Sequence, residues 1–232
     1  MNQKYLIGTD TETCNGFTEN GKLNLSQSLV YDMGWIVTNK KGEVIKTESF
    51  VVDEIFNKMK DVMSSAYYAH KIPKYEEDIK NGIRKVASFL TIRKKFVQDL
   101  KQYGTNVVFA HNAGFDVRAL NNTYRYITKS KYRFFFPFGT IFWDTLKMAR
   151  DTICKQKSYK EFCERNNYMT KHRTPQPRAT AEILYRYITG NDEFKESHTG
   201  LEDVLIEKDI LAHCFRQHKK MRKELYKKRA VA

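Results

Sequence analysis

The stretch Lys4-Tyr5-Leu6-Ile7-Gly8-Thr9-Asp10-Thr11-Glu12-Thr13 decides how this chain is read. Its apolar start predicts a strand over Tyr5 to Asp10, and alternate side chains of a strand share a face. Asp10 and Glu12 therefore stand side by side at the strand's end. Two carboxylates held that close repel each other, which is tolerable where they face water or share a cation. An acidic strand end running into a turn looks the same, so more acids must converge before the pair points to a divalent metal.

Two further segments supply them. Asn106 to Ala110 is a short β-branched, apolar run that predicts a buried strand, and Asn112-Ala113-Gly114-Phe115-Asp116 leads from it into a helical pattern. Asp116 then lies in the first turn of a helix beside the C-terminal end of a strand, where a carboxylate also simply complements the helix dipole. Downstream, His198-Thr199-Gly200-Leu201-Glu202-Asp203 opens a helix expected from Asp203 to Phe215. A five-residue offset is a rotation of roughly 140° on a helix, so His198 reaches the site Asp203 faces only from the loop before the helix. Glu202 points about 100° away from Asp203 and is expected to face solvent or the helix dipole. Gly200 fits a loop that moves. His172 also precedes a helical stretch, Arg178 to Thr189, but the residue five on is Pro177, which has no carboxylate, and Pro175 and Pro177 exclude a regular helix there.

Asp10-Thr11-Glu12, Asn112 to Asp116, and His198 with Asp203, in that order, resemble the three exonuclease motifs of the DnaQ-like (DEDDh) family. Phe142-Trp143-Asp144-Thr145-Leu146-Lys147-Met148-Ala149-Arg150 is similar to another segment of that family, and the resemblance spans roughly residues 4 to 216. It implies an α/β ribonuclease H-like fold with a five-stranded mixed central sheet flanked by helices. It also implies a 3′→5′ exonuclease that releases nucleoside 5′-monophosphates with two divalent ions. Asp10, Glu12, Asp116 and Asp203 would hold the ions, Asp10 bridging them, and His198 would take the proton from the attacking water. Oxygen-only ligands suit Mg²⁺ or Mn²⁺. Thr11, Thr13 and Phe115 would lie near the terminal nucleotide, although Phe115 reads equally well as a core residue, and Asn112 would anchor a phosphate or the backbone.

Composition bounds the partners. The chain has 232 residues, a net charge of +14 and a pI near 9.5, which favours a polyanion such as nucleic acid. No long apolar run or signal peptide points to a membrane, and Cys14, Cys154, Cys163 and Cys214 lack metal or disulfide spacing, which fits the cytoplasm. Residues 1–216 are expected to form the exonuclease domain and 217–232 a basic helical tail. Further strands are expected at Leu29 to Thr38, Val44 to Val52 and Thr140 to Trp143, with a helical region from about Glu76 to Tyr103. Arg125-Tyr126 and Lys131-Tyr132-Arg133-Phe134-Phe135-Phe136-Pro137-Phe138 interleave cations with rings, a pattern that serves phosphate attraction with base stacking or a core-packing loop with a basic edge. The expected substrate is a single-stranded DNA or RNA 3′ end, DNA favoured, with a DNA polymerase as a conceivable partner and a dimer as one open oligomeric state. Two competing readings are a nucleic-acid-binding or polymerase-associated module with little chemistry, and an exoribonuclease that trims RNA or clears oligonucleotides.

Overall fold

In the computed structural model, which describes residues 4–15, 25–64 and 66–226, the first strand runs past its expected end at Asp10. Strand β1 is Leu6–Cys14, followed by β2 (Leu29–Thr38) and β3 (Val44–Val52). β1 and β2 pair antiparallel, as do β2 and β3, and the turn Asn39 to Gly42 closes the second hairpin with Gly42 at φ 88°. Short helices α1 (Asp53–Phe56) and α2 (Lys60–Ser64) lead to α3 (Ile72–Lys80), β4 (Lys85–Ala87) and α4 (Phe89–Gln102). Then come β5 (Val107–Ala110), α5 (Gly114–Thr128), β6 (Ile141–Asp144) and α6 (Thr145–Asp151). The chain continues through α7 (Lys157–Arg165), α8 (Ala181–Thr189) and α9 (Gly200–Arg216).

The sheet has six strands in the order β4-β3-β2-β1-β5-β6, not the expected five. The extra strand lies inside the region read as helical from about Glu76 to Tyr103. Gly82, at φ 72°, ends α3, Lys85–Ala87 pairs parallel to β3, and the Ser88 side chain caps α4 by accepting from the Thr91 N–H. A three-residue strand carries too little pattern to be read locally, and its pairing comes from a distant partner.

Each face of the sheet has its own core. One cluster includes Trp35, Phe50, Phe96 and Leu120, and the other Leu6, Ile36, Phe109, Val204 and Ile210. β5 is buried on both sides, which explains its continuous apolar run. Among the described residues no helix is long and apolar enough to cross a membrane.

The expected helical tail is also corrected as far as it is described. Helix α9 ends at Arg216, and Glu224 instead forms an antiparallel bridge with Trp143. The Asp144 N–H donates to the Lys223 carbonyl and the Leu225 N–H to the Phe142 carbonyl, each at 2.8 Å, while Arg222 pairs with Asp151 at 2.8 Å. The exposed edge of β6 offers these backbone bonds, which a solvated helix end would forgo. Residues 227–232 lie outside the described residues.

Helix α9 sits on β1 and β2 at two glycines. A Cβ on Gly34 would lie 2.1 Å from the Leu201 nitrogen, and one on Gly200 would lie 2.6 Å from the Gly34 nitrogen. Gly200 is the first residue of α9 and permits close approach, not the loop movement expected of it. Because the obstacles are backbone atoms, Gly34→Ala is expected to destabilise the protein by about 1–3 kcal/mol or more, the scale of overpacking. Urea denaturation measures this, and an unchanged midpoint would mean that α9 is free to shift.

Candidate active site

The alternation of β1 places Gly8, Asp10 and Glu12 on the face that α9 covers. A Cβ on Gly8 would meet Val204 of α9, and Asp10 and Glu12 are paired in register with Gly34 and Asp32 of β2. Asp203, in the first turn of α9, comes down over this strand end and is 4% exposed. Asp116 arrives from the other direction, in the first turn of α5 just beyond β5, and is 2% exposed. Its carboxylate accepts a hydrogen bond of 2.8 Å from the Thr11 hydroxyl. The four acids come from three elements that meet at one end of the sheet.

His198 lies on the loop before α9, with φ 49°. One ligand atom from each of Glu12, His198 and Asp203 falls within 4.8 Å of the other two. The imidazole stacks on Tyr68, with centroids 4.5 Å apart and planes 16° apart. The loop is tied from both sides. Lys71 donates to the Ser197 carbonyl, and the Ser197 hydroxyl donates to Asp203 at 3.2 Å. The Glu196 N–H donates to Glu182 at 2.9 Å. His172 instead lies on a hairpin closed by the Met169 and Pro177 bridge, across the cleft from the acids.

Other expected contacts are redistributed. Thr11 is 4% exposed and its hydroxyl serves Asp116, so it positions an acid where contact with the terminal nucleotide was expected. Thr13 follows a register break after Glu12 and is partly exposed, as is Phe115. Asn112 is exposed at φ 64°, its N–H bonded to Asp144 at 3.0 Å. Glu202 does not face solvent alone. It makes two bonds, of 2.9 and 3.0 Å, to the guanidinium of Arg84, which is 2% exposed. Arg84 also reaches Asp78 at 3.0 Å and Asp32 at 3.5 Å.

Two acids escaped the sequence reading. Glu207, one turn after Asp203 on α9, is 2% exposed and accepts from the His111 N–H through Oε1 at 2.9 Å, while its Oε2 has no hydrogen-bond partner. The only signal for it was its i+4 spacing from Asp203. Asp32, fully buried opposite Glu12, accepts from the Tyr75 hydroxyl at 2.7 Å and the Gly200 N–H at 2.9 Å. From Asp10, Glu196 and Glu207 a cleft of about 880 Å³ opens past Arg150, Lys155 and Arg178.

This architecture has solved counterparts. The chain matches Escherichia coli exonuclease I in complex with a dT13 oligonucleotide at a TM-score of 0.54 and 15% identity, covering 93% of this chain and 42% of that one. The zinc-bound form of the E. coli exonuclease I complex with single-stranded DNA matches at 0.52 and 16% identity, covering 94% and 42%. The chain shares the fold of the matched part of those exonuclease I chains. It spans about 42% of the length of those exonuclease I chains. No protein-family model and no curated protein sequence matches it.

In this site the acids oppose one another. Burial, followed by the charges of Asp116, Glu207, Asp203 and Glu12, holds the Asp10 carboxyl well above its ordinary range. Burial and then Asp203 do the same to Glu12, and burial with Asp116 to Glu207. Burial pushes Asp116 up to about 7, and burial with Glu196 pushes Asp203 to about 8. His198 is held below its ordinary value by burial and then by Lys71, so it is a neutral base near pH 7.

A carboxyl raised in the folded state contributes stability that is fully present below its unfolded value near 4 and lost as pH rises through the folded value. In EDTA, the melting temperature is therefore expected to fall as pH rises through about 7 and 8. Mg²⁺ or Mn²⁺ should raise it more at the alkaline end, because bound cations replace protons. Glu207→Gln, which keeps an acceptor for the His111 N–H, should flatten the fall. Melts that ignore both pH and metal would show that the acids do not share a site.

Proposed function

We propose that the chain is a divalent-metal-dependent 3′→5′ exonuclease that releases nucleoside 5′-monophosphates from single-stranded ends, with DNA favoured over RNA. The observation that carries this reading is the gathering of Asp10, Glu12, Asp116 and Asp203 at one sheet end with His198 beside them. A binding module has no use for buried acids that repel one another, whereas a cation site needs them.

The residues fit such ions. The donors are carboxylate oxygens, which suit Mg²⁺ or Mn²⁺, and the unpartnered Oε2 of Glu207 adds a buried acceptor. Asp10, Glu12, Asp116 and Asp203 are the proposed ligands for two ions. Bound divalent cations stabilise charge on the attacking and leaving oxygens of a phosphodiester. His198 accepts the proton of the attacking water, its ring plane held by Tyr68. Thr11 aims Asp116 and Ser197 aims Asp203. Attack on phosphorus with the 3′-oxygen as leaving group gives a 5′-monophosphate.

The cleft beside Asp10 has the size of a ligand site and is flanked by Arg150, Lys155 and Arg178 for phosphate oxygens. Thr13 and Phe115, partly exposed and next in sequence to Glu12 and Asp116, and the exposed Asn112 are proposed to meet the terminal nucleotide. The preference for DNA rests on the likeness to exonuclease I bound to dT13.

Incubation with 5′-labelled single-stranded DNA and the matching RNA, in Mg²⁺, Mn²⁺ or EDTA, tests the reading. A metal-dependent ladder shortening from the 3′ end is expected, faster on DNA, and Asp10→Ala should abolish it while the fold persists. Absence of degradation with either metal would overturn the proposal. His198→Ala should slow hydrolysis by about two to four orders of magnitude, the scale of general-base catalysis. Full activity in that variant would remove His198 from the mechanism.

A further inference from the structure

Helix α5 starts beside the acid cluster, with Gly114 and Asp116 in its first turn, and runs away from it for 15 residues, about 22 Å at 1.5 Å per residue. Its outer side is grooved. A hollow of about 360 Å³ lies between Gly114, Arg118, Asn121 and Arg125 on the helix and Leu225 and Tyr226 of the C-terminal segment. Through Val117, Asn121 and Tyr226, which line both, it continues into a second hollow of about 620 Å³ between the helix and the loop that follows it.

Rings and cations wall that second hollow. The run from Lys131 to Phe138, which composition left open between strand handling and core packing, divides in two. Phe135 (0% exposed) and Phe136 (8%) pack into the core against Phe96. Tyr132 (78%), Phe134 (56%) and Phe138 (fully exposed) point outward around the hollow, joined by Tyr226 (60%). The guanidinium of Arg125 lies 4.8 Å from the Phe134 centroid and the Lys131 ammonium 5.2 Å from that of Tyr132. Arg93 and Arg133 line the second hollow, Arg118 and Arg125 line the first, and neither hollow has a carboxylate among its described lining residues.

A contiguous set of exposed large rings marks an interaction surface. The interleaved cations, and the lack of lining acids, select the occupant. Flat faces stack bases while guanidinium and ammonium groups meet the phosphates between them, a combination suited to a single strand of nucleic acid. We infer that this surface is a second strand-binding site, holding the uncut part of a single-stranded nucleic acid beyond the nucleotides that reach the acids. The inference rests on the exonuclease reading for the direction of the strand. The site makes affinity depend on substrate length, because short oligonucleotides reach the acids but not the rings.

The test uses the Tyr132→Ala/Phe138→Ala double variant, whose side chains are exposed and whose loss leaves the core intact. Fluorescence anisotropy in EDTA gives Kd for labelled oligothymidylates, and steady-state hydrolysis gives KM and kcat. For an oligomer long enough to span the helix, Kd and KM are expected to rise roughly thirtyfold or more, as loss of two stacked bases implies. Values for a trimer, and kcat for both, should match the wild type. Unchanged affinity for the long oligomer would overturn the inference and assign the rings to a protein partner. An equal loss for both lengths would also overturn it, since the rings would then act at the acids. If the wild type hydrolyses neither oligomer, the exonuclease reading falls, while length-dependent binding in EDTA still decides this surface.

Discussion

The seat of α9 on the β1 and β2 pair is the constraint on which the rest of the site depends. Gly34 and Gly200 leave no room for a Cβ at the contact, so the helix N-terminus lies against the strand that carries Asp10 and Glu12. The Gly200 N–H is satisfied by Asp32, whose buried charge is met by Arg84 and whose Oδ2 also accepts from Tyr75. Arg84 extends the same anchoring to Asp78 and to Glu202 on α9. Removing one member of a buried ion network leaves the others unpaired, at a cost of several kcal/mol, about 3–5 by analogy with buried pairs. Strand, helix and network therefore hold Asp203 in one place.

That rigidity brings an electrostatic cost. Asp10, Asp116, Asp203 and Glu207 lie close together with little solvent, and each has its carboxyl raised by burial. Such a cluster is at rest when protonated and, near neutral pH, when it holds cations. A divalent charge among them would relieve the repulsion that this packing creates. His198 stands apart from this conflict: it is partly exposed, stacked on Tyr68 and kept neutral, which leaves its nitrogen available as a base.

The two ends of α5 express the same division of labour. Its first turn supplies Asp116 to the acids, and its far end meets a loop whose rings are shared between core and surface. The C-terminal segment, laid along β6, closes the outer wall of the groove between them. The edge of the sheet is thereby protected and Tyr226 is set beside Phe142, with centroids 6.2 Å apart.

What the sequence determined by itself was local. The two-residue period of β1 put Asp10 and Glu12 on one face, the strand-to-helix change after Ala110 put Asp116 in a first turn, and the spacing to Asp203 required His198 to sit on a loop. Each follows from the geometry of one element and its neighbour. The tertiary structure decided what depends on partners distant in the chain. It added β4 at the sheet edge, turned Glu202 toward Arg84, committed Thr11 to Asp116, and brought Glu207 and Asp32 beneath the acids. It also made an edge segment of the tail expected to be helical. Burial and pairing are set by which faces meet, and residues such as Asp32 and Arg84, 52 positions apart in the sequence, carry no local period that announces their contact.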